Sequence, residues 1–97
     1  MKKLTLAEAK EVLSTTTLKQ IIGTDKRGDC FCAMGVIKEE FRRRYPDYCE
    51  WAGDSLVKTE DCTPLFLGDV LDVPKATDII YMNDTKGLTF KQIAERL

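Results

Sequence analysis

Four cysteines carry most of the chemistry that this sequence could perform. Cys30 and Cys32 form a C-x-C, followed by gaps of sixteen residues to Cys49 and twelve to Cys62. Four thiolates make a complete ligand set for structural zinc. A thiol in the first turn of a helix is also drawn towards thiolate, and Lys26 and Arg27 stand nearby as cations. Against zinc, the paired C-x-x-C knuckles are missing, and on a helix Cys30 and Cys32 point to nearly opposite sides. Against thiol chemistry, no base is available to partner the sulfur. The reading that fits the apolar neighbours is a set of reduced cysteines acting as small hydrophobes. No metal and no cofactor are expected; the alternative is a metal- or thiol-dependent module built on Cys30, Cys32, Cys49 and Cys62.

The chain contains no histidine. Ser-His-Asp and Cys-His catalysis, and every histidine-bearing zinc site, are excluded with it. The acidic pairs Glu39-Glu40 and Glu60-Asp61 are sequence neighbours on solvated segments, a poor arrangement for acid/base work. No glycine-rich phosphate loop is present. Asn83-Asp84-Thr85-Lys86-Gly87 has the look of a calcium loop but lacks its alternating acidic ligands and terminal glutamate. Arg42-Arg43-Arg44 offers a basic surface for nucleic acid. Fifteen basic against sixteen acidic residues leave a net charge of -1, however, without the basic excess of a dedicated nucleic-acid binder. Glu39 and Glu40 also lie close to those arginines on the same expected helix. Tyr48 and Trp51 are aromatic candidates for a protein interface, or for packing at the margin of the core.

The elements that would position these residues read as helices. Asp29 is a suitable N-cap for a central helix over Cys30-Tyr45. Its first half, Cys30 to Ile37, is entirely apolar or glycine, so protein should surround it. Met34, Ile37, Phe41 and Tyr45 continue an apolar stripe, and Pro46 ends the run. Gly35 inside a helix costs about 1 kcal/mol against alanine, and its usual return is close approach of a neighbouring backbone. A helix that begins in the interior leaves N–H groups to satisfy beyond what Asp29 can serve. Asn83-Asp84 is the polar element expected there.

Elsewhere, Thr5 and Glu8 form a capping box for a first helix, and Thr89 and Gln92 form one for the last. Leu18 to Ile22 reads as a short helix capped by Thr17 or as a strand, with helix favoured. Gly23 to Gly28 is a polar turn or hairpin tip. Asp47 to Trp51 repeats the capping-box spacing and predicts a single turn or a short helix. Thr63-Pro64 marks a helix start, with Leu65, Phe66, Leu67, Val70 and Leu71 as its apolar face and Val73-Pro74 as its stop. Thr77 or Asp78 is expected to cap a short helix ending at Asn83. The fold expected is therefore mainly α: a single domain spanning residues 1–97, a small bundle of short helices around a central buried helix. A minor two-stranded element from Ile21 to Arg27 or from Leu56 to Lys58 is the one β feature allowed for.

Two patches resemble a group of small uncharacterised proteins of bacteriophages and bacterial genomes. These are Cys32-Ala33-Met34-Gly35-Val36-Ile37, and Met82-Asn83-Asp84 followed by Leu88-Thr89-Phe90-Lys91-Gln92-Ile93-Ala94. That group carries a Cys-x-x-Gly-apolar-apolar helix, a late Asn-Asp turn and a Ser/Thr-Phe-x-x-Ile-Ala helix. The resemblance implies a phage or prophage accessory protein in which the cysteine helix packs near the Asn-Asp turn. It carries no activity with it. Together the observations predict a non-enzymatic factor that binds and modulates a host protein, a weak nucleic-acid binder using Arg42 to Arg44 being a further alternative. Lys2-Lys3-Leu4 begins like a signal peptide, but Glu8, Lys10 and Glu11 interrupt any apolar region. No run reaches transmembrane length, so a cytoplasmic chain with no membrane contact is expected.

Overall fold

A computed structural model describes residues 1–73 and 75–97. It corrects the expectation of a helical bundle: the fold is mixed α/β, with one three-stranded and one two-stranded sheet beside the helices. The element order is α1 (Leu6–Thr15), β1 (Lys19–Gln20), β2 (Lys26–Arg27), β3 (Cys30–Phe31), α2 (Ala33–Arg44), β4 (Cys49–Ala52), β5 (Ser55–Lys58), α3 (Leu67–Val70), α4 (Ala76–Ile80) and α5 (Phe90–Arg96). A π-helical turn, Tyr81–Thr85, continues directly from α4. No helix among the described residues is long and apolar enough to cross a membrane.

The central helix is present but starts three residues later than its apolar run implies. Gly28 takes φ +59 and opens a two-residue turn with Asp29, the glycine-first geometry that suits a tight hairpin. Asp29 therefore sits exposed in that turn, not at a helix cap. Cys30 and Phe31 are drawn out as the middle strand β3, parallel to β1 and antiparallel to β2. Cys32 becomes the N-cap of α2. Beyond it, Ala33, Gly35, Val36, Ile37, Lys38 and Phe41 are all buried. α2 meets α1, α3 and α4, while α5 packs on α1.

Further expectations fail for related reasons. Leu18 to Ile22 forms no helix, because Lys19 and Gln20 pair with Cys30 and Phe31. Asp47 to Trp51 forms no helix either. Cys49 and Trp51 turn inward while Glu50 and Ala52 face water, and this two-residue alternation outweighs the capping-box match. Gly53, at φ +64, closes the β4–β5 hairpin. Pro64 is not a first helical residue. It bridges Val57, and the Leu65 N–H donates to the Leu56 carbonyl at 2.8 Å. The chain thus stays extended to Phe66, and α3 is a single turn. The expected stop at Val73-Pro74 falls partly on Pro74, which lies outside the described residues. α4 begins at Ala76 with Lys75 as its cap, ahead of Thr77 and Asp78, and Asn83 lies inside the π turn rather than at a helix end.

Both outer capping boxes form. Thr5 and Glu8 exchange bonds of 2.9 and 3.1 Å, and Thr89 and Gln92 bonds of 2.9 and 3.2 Å. Glu8 also receives Arg44 Nη1 at 2.6 Å, tying α1 to the end of α2. The Thr5 backbone N–H and then Arg44 hold the Glu8 carboxyl down at about 2. Because the folded value is depressed, Glu8 stabilises the fold above the ordinary carboxylate value of 4.5, and that contribution fades as pH falls towards 2. Glu8→Gln is expected to melt below the wild type at neutral pH, with the gap closing between pH 4.5 and 2. Thermal melts of both proteins across that range check it. A gap that stays constant with pH would remove the Glu8 charge from the account.

Candidate functional site

Three segments distant in sequence converge on the start of α2. Asn83, 1% exposed, lies at their centre. Its Oδ1 accepts from the Ala33 N–H at 3.1 Å and from Gln20 Nε2 at 2.8 Å. Its Nδ2 donates to the Ile21 carbonyl at 3.0 Å and to Asp84 Oδ1 at 2.7 Å. Asn83 thereby uses both its donors and both its acceptor positions, joining β1, α2 and the π turn. The π geometry matters here: it inserts one extra residue per turn and so re-aims a side chain that an α-helix would direct elsewhere.

The loop before β2 approaches α2 from the other side. The Asp25 carbonyl accepts from the Cys32 N–H at 3.2 Å, and the Asp25 carboxylate is ion-paired and hydrogen-bonded to Lys38, which is 4% exposed. Gly35 makes this approach possible. A Cβ built there would lie 1.8 Å from the Asp25 carbonyl oxygen. Between this loop and α4 lies a cleft of about 230 Å³, lined by Asp25, Cys32, Met34, Ile80, Asn83 and Asp84 among others.

Sequence reasoning missed Asp25, Lys38 and Gln20. Lys38 carried a signal: it stands four residues after Met34 and three before Phe41, on the same stripe as those apolar residues. A cation at such a position needs a buried anion. Gln20 lies in the segment read first as a helix capped by Thr17, but its amide reaches Asn83 and the Leu88 carbonyl (2.7 Å) instead.

The thiols are dispersed. Cys32 and Cys49 are buried, Cys30 is half-buried in β3, and Cys62 is exposed in a turn at φ +60. Among the described residues no three cysteine, aspartate or glutamate side chains come together in a way that could hold a metal ion. Cys32 Sγ accepts from the Gly35 N–H at 3.4 Å and lies 3.7 Å from Asp25 Oδ1. Burial, with the Asp25 charge beside it, pushes this thiol up to about 11, so it is protonated at neutral pH and a weak nucleophile. Burial also raises Cys49. In native protein at pH 8, a disulfide reagent is expected to modify Cys62 readily and to leave Cys32 and Cys49 untouched until denaturant is added. Peptide mapping after timed labelling checks this. Rapid native modification of Cys32 would reinstate it as a reactive group.

The basic run is neutralised in place. Arg42 makes a two-pronged contact with the Glu39 carboxylate at 2.7 and 2.9 Å, and Arg43 reaches the same group at 3.4 Å. Arg44 spans Glu40 at 3.0 Å and Glu8 at 2.6 Å. Burial alone would raise Glu39. Hydrogen bonds from Arg42 and Trp51, with the two arginine charges, hold it below the ordinary value. Trp51 Nε1 donates to Glu39 Oε1 at 2.8 Å, and the indole meets Phe31 edge-on with ring centroids 5.8 Å apart. Tyr48 is half-buried, its ring edge-on to Phe41 at 6.3 Å.

Trp51 stands in a long groove between the two hairpins. One stretch, about 590 Å³, has a predominantly apolar floor including Leu18, Phe31 and Trp51, with Lys26, Arg42 and Glu50 at its rim. The next stretch, about 430 Å³, runs between Lys26-Arg27-Gly28 and Trp51, ending at Gly53 and Asp54. Thr24 Oγ1 donates to Asp54 Oδ2 at 3.2 Å and closes that end. Apart from the groove, Ile22, Ile80 and Tyr81 are exposed, Ile80 at the mouth of the Asn83 cleft. Comparison with known protein families, with curated proteins and with solved structures finds no match.

Proposed function

We infer that this chain is a protein-interaction module without chemistry of its own, and that it meets its partner along the groove beside Trp51. The observation that carries the reading is a contrast between two sites. Around Asn83, Cys32 and Asp25 the polar groups are committed to one another: the amide is saturated, the thiol is held protonated and the carboxylate is paired with Lys38. Beside Trp51, an apolar and aromatic floor lies open between charged banks. An apolar centre within a polar rim is the usual anatomy of a protein interface, and tryptophan and arginine are the residues in which binding energy concentrates. The likeness of the Cys-x-x-Gly and Asn-Asp segments to small phage proteins makes a host protein the partner to look for. Nucleic acid fits less well, since carboxylates already occupy Arg42, Arg43 and Arg44.

The test is affinity capture from host lysate with the wild type and with Lys26→Glu/Glu50→Lys, which reverses both banks of the groove while leaving the core in place. A protein retained by the wild type and by Ile80→Asp, yet lost with the reversed banks, is the expected result. Retention that depends on Ile80 and ignores the banks would move the interface to the Asn83 cleft.

A further inference from the structure

The groove is bounded on both sides by strand edges, and on each edge one residue that lines it, Trp51 and Lys26, turns its backbone groups away from its own hairpin partner. In the β4–β5 hairpin, the Leu56 carbonyl and the Lys58 N–H are used by the strand-like segment beyond: Leu65 N–H donates to Leu56 at 2.8 Å and Lys58 N–H to the Thr63 carbonyl at 2.9 Å. Their partners in β4, Trp51 and Cys49, are therefore the non-hydrogen-bonded pairs of that ladder. The N–H and C=O groups of Cys49 and Trp51 face away from β5; Cys49 is 1% exposed and its groups are covered, whereas Trp51 lines the groove. The same logic applies to β2. Phe31, opposite Lys26, gives its carbonyl to the N–H of Ile21, just past β1, at 2.9 Å, while the next pair along is bonded from Cys32 N–H to the Asp25 carbonyl. The N–H and C=O of Lys26 thus face away from β3. Among the described residues, none of these outward groups makes a backbone hydrogen bond.

The two edges run side by side. Thr24, just before β2, touches Asp54, just beyond β4, and Lys26 and Gly28 share both stretches of the groove with Trp51. We propose that this groove receives a single extended segment of a partner protein, added as a strand between β4 and β2 with its backbone bonded to Trp51 on one edge and to Lys26 on the other, and alternate side chains resting on Leu18, Phe31 and Trp51. The outward backbone groups select the occupant. A helix satisfies its own amides and would leave the edge unpaired, whereas an extended chain supplies a matching row of donors and acceptors. Charge sets its polarity: Lys26 and Arg27 outnumber Asp29 on one bank, and Glu50 and Asp54 stand on the other, where Arg42 is paired with Glu39, so the segment carries acidic groups towards β2 and basic groups towards β4.

This inference rests on the protein-binding reading, and the test separates the two. A display library of random linear peptides is selected against the full chain. The best binders are then measured against wild type, Lys26→Glu/Glu50→Lys, Ile80→Asp and a chain assembled by ligation at Cys49 with an ester in place of the Glu50–Trp51 amide. The ester removes one outward N–H and leaves every side chain in place. Apolar-alternating binders, weakened about tenfold by the ester as expected for one lost backbone hydrogen bond and unaffected by Ile80→Asp, are the expected result. Binders sensitive to the reversed banks but indifferent to the ester would overturn strand addition while leaving the groove as the interface. Binders indifferent to both, or no enrichment, would overturn the strand proposal and take the groove with it. Sedimentation of the wild type adds a separate arm: a dimer dispersed by the ester would mean that the edge takes a second copy of this chain, which also overturns the proposal.

Discussion

Gly35→Ala should cost about 3 kcal/mol or abolish folding, although alanine is the better helix former by about 1 kcal/mol. The added Cβ would meet the Asp25 carbonyl oxygen at 1.8 Å, with the carbonyl carbon at 2.8 Å. Both are backbone atoms, so no side chain can rotate away. Relief requires the loop to withdraw from α2. That movement would break the Cys32 N–H bond to the same carbonyl and pull the Asp25 carboxylate away from Lys38. Lys38 would then be a buried cation without its anion, and breaking such a pair from one side costs several kcal/mol, about 3–5 when both groups are deeply buried. Gly68→Ala is the internal control. Gly68 sits in α3 with nothing within 4 Å of a built Cβ, and it is not among the positive-φ positions, so alanine there should be neutral or mildly stabilising. Urea denaturation of the two variants beside the wild type decides the matter. Equal midpoints for Gly35→Ala and Gly68→Ala would mean that the loop does not lie against α2 as described.

How far the fold was legible follows from which forces act locally. The boxes at Thr5/Glu8 and Thr89/Gln92 were readable because the residues that form them lie within one turn. Burial of Val36, Ile37 and Phe41 was readable because it follows from an unbroken apolar run. Gly35 was legible in kind, since a glycine inside a helix asks for a close neighbour, but nothing local points to Asp25 as that neighbour. The strands were legible only in part: a strand was the second reading of Leu18 to Ile22 and a β element was allowed at Leu56 to Lys58, where β1 and β5 lie, but nothing local showed what they pair with. β1, β2 and β3 are two residues each, too short to show a period, and they exist only because Lys19, Lys26 and their neighbours pair on either side of Cys30 and Phe31. At Cys49 to Ala52 two signals competed, and Gly53 at the turn was the better guide than the Asp47–Glu50 spacing. The groove could not be read at all, because it lies between hairpins whose mutual placement depends on Phe31, Trp51 and Glu39 meeting across the chain.

The Asn83 junction offers the second large effect, through a change of only one atom type. Asn83→Asp keeps an oxygen where the Ala33 N–H and Gln20 Nε2 need an acceptor, and its charge would suit the positive end of α2 by about 0.3–1 kcal/mol. Against that gain, the two donors vanish. A carboxylate oxygen would face the Ile21 carbonyl at about the present 3.0 Å and the Asp84 carboxylate at about 2.7 Å. Acceptor would oppose acceptor at a position 1% exposed, where an unshielded charge is expensive. The repulsive side wins, and a loss of about 3 kcal/mol at neutral pH is expected, two lost hydrogen bonds plus the desolvation of a charge. The new carboxyl escapes part of this by holding a proton, so its folded value is raised above the unfolded one. The difference from wild type should therefore narrow as pH falls through that raised value, the reverse of a simple loss of packing. Asn83→Ala, which has no proton to take up at this position, should cost a similar amount with no such recovery. Chemical denaturation of the three proteins at pH 7 and pH 4 distinguishes them. If Asn83→Asp stays within about 1 kcal/mol of wild type at pH 7, less than one buried donor is worth, then the amide does not hold β1, α2 and the π turn together.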